Sequence, residues 1–214
     1  MLTAVKRKDN LFQITEKKRC SFGDTFFVSK KSVLLCKIFG QKKVMNIKEK
    51  IRVVPDFPTP GIQFYDITTL LNDPQAFRET MDAMLQIASK FEPDVVVALE
   101  SRGFFFGPVI AYQLGIPFVP VRKKGKLPYT TYQETYLLEY GSATMEIHTD
   151  AVHDNQKVLI IDDVLATGGS MSAAINLVNH FHPKEIHLLF LMELEALKGR
   201  KKLSKYSVDS LIKV

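Results

Sequence analysis

The stretch Lys157–Ser170, KVLIIDDVLATGGS, decides the fold. Its aliphatic run from Val158 to Ile161 is typical of a parallel strand that is covered on both faces. Asp162 and Asp163 follow at the predicted carboxyl end of that strand, where open α/β sheets place their ligand crevice. The chain then turns into a predicted helix. We therefore expect an α/β protein built on a parallel sheet.

The residues after the two acids predict a phosphate-binding loop. Small residues let backbone N–H groups converge, and a helix N-terminus carries partial positive charge. The loop matches neither the Walker pattern nor the G-x-G-x-x-G fingerprint, and it has no lysine, so it suits a phosphate that is held and not transferred. Adjacent carboxylates suit the vicinal hydroxyls of a ribose. The pattern favours a ribose 5-phosphate site over a simple strand-to-helix turn. Its loop residues are Ala166, Thr167, Gly168, Gly169 and Ser170.

A second strand-to-helix turn repeats this geometry. Val95–Leu99 is another buried run, and Glu100-Ser101-Arg102-Gly103 follows it. Arg102 could bind a polyanion through two hydrogen bonds, or it could face solvent. Three further apolar runs complete a predicted parallel five-stranded sheet with flanking helices, and they cover residues 117–121, 186–192 and 206–213. Right-handed crossovers are expected between the strands.

Composition and charge narrow the class of protein. The 214 residues are 46% hydrophobic, enough for one substantial core, and no apolar run approaches the length of a membrane span. Two cysteines indicate no disulfide framework and favour a reducing cytoplasm. The net charge of +6 is carried by residues 1–44, which hold eleven Lys and Arg against three acids, whereas the remainder is slightly acidic. A nucleic-acid partner is therefore not expected for residues 45–214.

The charge change divides the chain. We interpret residues 1–44 as a basic N-terminal extension without a catalytic role, of the kind that a misplaced start codon would add, and residues 45–214 as the functional domain. A transit peptide and a nucleic-acid arm are the alternatives for the extension. An amphipathic helix is expected from Asn46 to Val53, followed by an extended, non-sheet path through the Pro-rich run Pro55–Ile67.

The segment VLIIDDVLATGGS resembles the phosphoribosyl-pyrophosphate (PRPP) signature of type I phosphoribosyltransferases. The run from Pro55, PDFPTPG, followed by Phe64 and Asp66, is similar to a segment of the adenine phosphoribosyltransferases. The resemblance covers about residues 45–214. It implies the type I phosphoribosyltransferase fold, with a small hood lobe over the carboxyl edge of the sheet and a flap hairpin. Asp162 and Asp163 would then be catalytic, since they would hold the ribose hydroxyls and favour positive charge on the sugar.

The same resemblance assigns the base and pyrophosphate subsites. Phe64 would stack on the base opposite Leu194, and the backbone of Gln63 and Tyr65 would bond to the adenine edge. On residue type alone Phe64 could equally be a core aromatic, and a basic run is usually a solvated face. The residues implied at the pyrophosphate are Ser101, Arg102, Arg122, Lys123 and Lys126. The basic turn Lys198–Lys201 is expected to be solvated surface, and Glu146 and His148 to be ordinary hairpin residues.

The flap carries the remaining implied residues. Glu139-Tyr140-Gly141 matches the LEYG of the family, in which the Glu transfers a proton at the purine. A base that attacks through a ring nitrogen must shed a proton, so Glu139 is the general acid/base candidate. A solvated flap carboxylate is the alternative interpretation. Tyr140 lies beside it on the flap.

The implied reaction is adenine plus PRPP giving AMP and pyrophosphate, in purine salvage. Mg²⁺ is the implied cofactor, and it would be held mainly by PRPP with no direct protein ligands. A cytoplasmic homodimer is expected, with no nucleic-acid or membrane partner. Two alternatives stay open: a related enzyme that uses a 6-oxopurine, which Phe64 and Leu194 would not exclude, and a regulator that keeps the PRPP site but binds nucleic acid.

Overall fold

A mostly parallel sheet forms the centre of the computed structural model, which describes residues 46–137 and 141–214. Seven of its strands follow the order β5-β6-β4-β3-β7-β8-β9, and β1 pairs separately with β2. The strands are β1 Arg52–Pro55, β2 Gln63–Asp66, β3 Val95–Leu99, β4 Phe118–Lys123, β5 Thr131–Leu137, β6 Ser142–His148, β7 Lys157–Leu165, β8 Glu185–Glu193 and β9 Ser207–Lys213. The helices are α1 Thr68–Leu71, α2 Pro74–Phe91, α3 Gly107–Leu114, α4 Gly169–Asn179 and α5 Gly199–Lys202.

The predicted five-stranded parallel sheet is confirmed as β4-β3-β7-β8-β9. Strand β3 is buried along its whole length. Alternate side chains of the strands point to opposite faces, so the sheet separates two hydrophobic clusters. One cluster packs the sheet against α4, and the other packs it against α2 and α3. Because both faces are covered, function is left to the ends of the strands.

Residues 46–67, the N-terminal part of the expected hood lobe, do not form the expected helix and non-sheet path. A single 3-10 turn at Ile47–Lys50 replaces most of the predicted helix. β1 and β2 then form an antiparallel pair, with Arg52 opposite Asp66 and Pro55 opposite Gln63. The prediction of a non-sheet path was wrong because the prolines occupy the turn and the end of β1, where their missing N–H does not break the pairing.

The flap hairpin is confirmed and is longer than expected. β5 and β6 pair from Thr131 opposite His148 to Leu137 opposite Ser142. β6 also pairs with β4, Arg122 opposite Glu146 and Lys123 opposite Met145. The flap therefore continues the main sheet beyond β4. Within the described residues, no helix is both long enough and apolar enough to traverse a bilayer.

Gly107 is a residue at which α3 packs closely on Ala98 of the sheet, so a substitution there measures how tight this packing is. A Cβ at this position would lie 2.6 Å from the Ala98 Cβ and 3.0 Å from Cε2 of Phe118. We expect Gly107→Ala to lower the free energy of unfolding by roughly 1–3 kcal/mol through overpacking, as measured in urea. The double variant Gly107→Ala/Ala98→Gly should recover most of the loss. Additive losses in the double variant would contradict this account.

Candidate active site

Gly103 marks the place where two loops from neighbouring strands meet. It lies in the 3-10 turn Arg102–Phe105, directly after β3, and it is buried. A Cβ on Gly103 would lie 2.8 Å from the Ile161 carbonyl oxygen and 3.3 Å from Oδ1 of Asp162. Only glycine lets this turn approach β7 so closely. The predicted pyrophosphate turn and the predicted ribose-binding acids therefore form one site.

Arg102 connects three predicted parts of this site. Its Nε lies 2.9 Å from Oδ2 of Asp163, and the Asp163 side chain is almost fully buried. The guanidinium carbon also lies 5.6 Å from the centre of the Phe64 ring, within the range of a cation–π contact. A single cation thus touches the aromatic residue of the base subsite and a carboxylate of the ribose subsite.

The two acids were predicted to lie at the carboxyl end of β7. They lie instead within the strand. β7 continues to Leu165 and still pairs there with Glu193 of β8. Burial and the neighbouring Asp163 charge raise the pKa of Asp162 well above its ordinary value. Burial also raises the pKa of Asp163, although the Arg102 guanidinium opposes that shift. Adjacent carboxylates held in this way favour any ligand that brings hydroxyl donors or positive charge.

The predicted phosphate loop lines a cavity of about 70 Å³ between β7 and α4. Gly168 has a left-handed φ of 77° and starts α4, whose first N–H groups have no partner inside the helix. Asp162 and Phe190 complete the lining with residues 164–171. An anion of phosphate size matches both the dimensions of this cavity and the polarity of the helix end.

The back of the phosphate loop is held by the hood segment after β8. A Cβ on Gly199 would lie only 2.1 Å from the Ala166 carbonyl oxygen, so the two backbones touch. The Leu194 N–H also donates to the Leu165 carbonyl oxygen at 2.9 Å. The predicted base-covering residue Leu194 is thereby fixed to the strand that leads into the phosphate loop.

Lys198 and Lys201 are exposed, as expected for a solvated turn, but Arg200 between them is half-buried and departs from that expectation. Its Nε donates to both oxygens of the almost fully buried Glu193, at 2.9 and 3.1 Å. Its Nη1 donates to the Val208 carbonyl oxygen at 2.6 Å, and the Ser210 hydroxyl donates to Glu193 at 3.0 Å. The sequence did not reveal this network, because its partners come from different strands.

The predicted base-contacting residues lie together on β2. Gln63 is exposed, whereas Phe64 and Tyr65 are half-buried. Phe57 packs edge-on against Phe64, with ring centres 5.2 Å apart and planes inclined by 73°. Strand pairing fixes the backbone at these positions, and the Phe57 edge limits rotation of the Phe64 ring. A planar ligand could be stacked there.

The predicted pyrophosphate residues fall into two groups. Nε of Arg122 donates to Glu100 at 3.0 Å, and the Lys123 N–H donates to the same carboxylate oxygen at 3.2 Å. The Arg122 guanidinium is thus held by an ion pair with Glu100 of the same chain. Glu100 is not among the site residues predicted from the sequence. Its position directly after a buried strand was the available signal. Ser101, Lys123 and Lys126 are exposed and free to face a ligand.

Glu139 and Tyr140 lie outside the described residues, and their assigned roles stay predictions. Among the residues that the structure describes, no three His, Cys, Asp or Glu side chains are grouped so that they could hold a metal ion. Asp162 is the carboxylate among the described residues that line the phosphate cavity.

Comparison with known proteins agrees with this geometry. The family model described as a phosphoribosyl transferase domain matches residues 66–214. An adenine phosphoribosyltransferase of Ruminiclostridium cellulolyticum is 52% identical over 170 residues, which are 79% of this chain and 99% of that protein. The crystal structure of adenine phosphoribosyltransferase from Thermoanaerobacter pseudethanolicus has a TM-score of 0.76 at 47% identity, and the match covers 80% of this chain and 99% of that one. The Saccharomyces cerevisiae enzyme, solved with an imino-altritol bisphosphate and adenine, has a TM-score of 0.74 at 42% identity and covers 78% and 97%.

The raised pKa of Asp162 predicts a pH-dependent gain in stability for Asp162→Asn. An acid whose pKa is higher in the folded protein destabilises it only once the unfolded chain ionises, above about pH 4. We therefore expect the variant to have a higher thermal midpoint than the parent at pH 8, and the gap to close as the pH falls to about 4. The exposed control Asp154→Asn should show no gap. A lower midpoint for Asp162→Asn at pH 8 would contradict the prediction.

Proposed function

This chain belongs to the adenine phosphoribosyltransferase family, and from that premise we propose that it transfers the 5-phosphoribosyl group of PRPP to adenine, giving AMP and pyrophosphate. The observation that carries the proposal is the position of Arg102, which contacts both Asp163 and Phe64. The base, ribose and pyrophosphate subsites expected of such an enzyme would meet at this one side chain. Purine salvage is the pathway that this reaction serves.

The transfer forms one bond and breaks another at the anomeric carbon of the ribose. A ring nitrogen of adenine attacks that carbon, and the bond to the pyrophosphate oxygen breaks, so that the electron pair leaves with pyrophosphate. Asp162 and Asp163 are proposed to hold the ribose hydroxyls and to favour the positive charge that develops on the sugar. The loop of residues 166–170 is proposed to hold the 5-phosphate and so to fix the ribose against the base.

Recognition of adenine is proposed to come from β2 and from the segment after β8. The Phe64 ring and the Leu194 side chain would enclose the two faces of the base. The backbone of Gln63 and Tyr65 would read its edge, and strand pairing keeps that backbone rigid. The proton that the purine sheds would pass to Glu139, a role that rests on the LEYG match alone.

The leaving pyrophosphate is proposed to meet two separate groups of donors. Ser101 and Arg102 approach from the turn after β3, and Lys123 and Lys126 approach from the loop after β4. Arg122 supports that loop, since its guanidinium is bound to Glu100. Cations aimed at the leaving group stabilise the charge that it acquires.

Mg²⁺ is proposed to enter with PRPP. The Asp162–Asp163 pair fits such an ion through bridging waters, because a cation nearby would relieve the repulsion that helps to raise the pKa of Asp162. When bound, the ion would neutralise charge on the pyrophosphate oxygens. The two carboxylates would orient its waters while they hold the sugar.

Activity with a panel of bases tests the function. We expect AMP from adenine, PRPP and Mg²⁺, and no nucleotide from hypoxanthine, guanine or xanthine, as followed by chromatography. The full chain and residues 45–214 should turn over at similar rates, since the basic extension is proposed to be dispensable. Turnover of a 6-oxopurine would keep the PRPP site and overturn the base assignment. PRPP binding without any turnover would favour the regulator interpretation.

A homodimer in the cytoplasm is the proposed state. Its support on the surface is a pair of exposed aromatics, Phe105 at the end of the 3-10 turn with 43% exposure and Tyr112 on α3 with 82% exposure. Exposed aromatics of this size are enriched at interfaces between proteins. We expect light scattering to give twice the chain mass and Tyr112→Glu to reduce it to one chain, whereas Val53→Glu on β1 should leave the dimer intact. A monomeric parent chain would contradict the proposal.

A further inference from the structure

Glu146 is a buried carboxylate that the proposed catalytic set does not use. It lies on β6 and is only 2% exposed. Carboxylates at this depth are rare unless they are paired or hydrogen-bonded. In the described part of the chain no Lys, Arg or His lies within 4 Å of it as an ion-pair partner. This burial contradicts the expectation that Glu146 is an ordinary hairpin residue.

The partners of Glu146 come from the basic loop after β4. Its Oε1 accepts the N–H groups of Lys126 and Leu127, each at 2.9 Å. Its Oε2 lies 3.5 Å from the Thr131 hydroxyl. Burial alone would raise the pKa of Glu146, but the N–H donors of this loop outweigh burial and hold the pKa below its ordinary value. The carboxylate is therefore charged, and its two short hydrogen bonds come from backbone N–H groups, with the Thr131 hydroxyl as a more distant donor.

The loop that Glu146 holds has reason to be unstable by itself. Lys123, Lys124 and Lys126 are exposed within four residues, and like charges this close repel one another. Gly125 between them has a left-handed φ of 80°. Within the described residues none of the three ammonium groups has a carboxylate within ion-pair distance. A carboxylate that binds the backbone fixes the loop without occupying the charges that the loop presents.

The two ends of the loop are anchored in different ways. At its start, Glu100 binds the Arg122 side chain together with the Lys123 N–H, and so occupies a cation. At its other end, Glu146 binds two N–H groups of the loop and no cationic side chain among the described residues. The lysine side chains between these anchors stay available to a polyanion.

We propose that Glu146 is a positioning residue that fixes the loop Lys123–Leu127 so that Lys123 and Lys126 face the leaving pyrophosphate. The inference rests on the proposed function for the identity of the anion. It adds a residue on the flap that acts on pyrophosphate through the backbone and touches no substrate. The loop would be preorganised before the substrate binds, which lowers the cost of ordering it.

Three substitutions in the full-length chain separate this role from a general loss of structure. Glu146→Gln keeps the one oxygen that accepts both N–H groups, whereas Glu146→Leu leaves both without an acceptor. Glu146→Asp keeps the charge but shortens the reach. The matched control is Glu134→Leu, which removes another flap carboxylate whose bond, at 2.7 Å, goes to Asn176 and not to the loop.

The measurements are KM for PRPP, KM for adenine and the dissociation constant of pyrophosphate by calorimetry. We expect Glu146→Leu to weaken pyrophosphate and to raise KM for PRPP by at least about tenfold, the order expected when hydrogen bonds to a charged group are lost. KM for adenine in Glu146→Leu should stay within about twofold of the parent value. Glu146→Gln should bind pyrophosphate and PRPP much as the parent does. Glu146→Asp should fall between the parent and Glu146→Leu, because it loses only part of the hydrogen bonding. Glu134→Leu should match the parent in all three.

Three outcomes would overturn the proposal: unchanged pyrophosphate binding in Glu146→Leu, an equal rise in both KM values, or a Gln variant as impaired as the Leu variant. If Glu146→Leu does not fold, Glu146→Asp decides, because unchanged pyrophosphate binding there would also overturn it. Calorimetry needs no turnover. A parent chain that binds pyrophosphate but makes no AMP would therefore refute the proposed function and leave the role of Glu146 to be judged on binding.

Discussion

The close approach of Gly103 to the Ile161 carbonyl oxygen is the contact on which the site depends. β3 and β7 are neighbours in the sheet, so the segments that follow them start about one strand spacing apart. Because Gly103 has no side chain, its backbone can approach the Ile161 carbonyl oxygen closely. Only then can Arg102 reach Asp163 on one side and the Phe64 ring on the other. A larger residue at this position would move the proposed base, ribose and pyrophosphate subsites apart from one another.

The Asp162–Asp163 pair lowers the stability of the folded protein for the sake of the site. Asp162 and Asp163 are adjacent in a central strand, and burial raises the pKa of each. A core built for stability alone would place apolar side chains there. Arg102 offsets part of the repulsion, but as a half-exposed cation it can exchange Asp163 for a ligand. The arrangement keeps charge that is unfavourable in the empty protein and useful when a sugar is bound.

Much of the fold and part of the site could be predicted from local patterns. The aliphatic runs predicted the parallel strands, and the small residues after Asp163 predicted the turn into α4, whereas their role in binding phosphate stays a prediction. The β1–β2 pairing could not be predicted, because the prolines of the run Pro55–Ile67 argue against a sheet although they lie only at its end and in its turn. The partners of Arg122, Arg200 and Glu146 were missed for a different reason. Each pair joins segments that meet only through strand register, which no single stretch of sequence encodes.

The backbone contact between Gly199 and Ala166 limits how the base pocket can change during evolution. The segment that carries Leu194 cannot move outward or inward without displacing residues 166–170, the proposed phosphate loop. New preference for a base would therefore arise by exchange of side chains at positions such as 194, and not by moving the backbone that bears them. At this contact the backbone position is fixed, and only the side chains can vary.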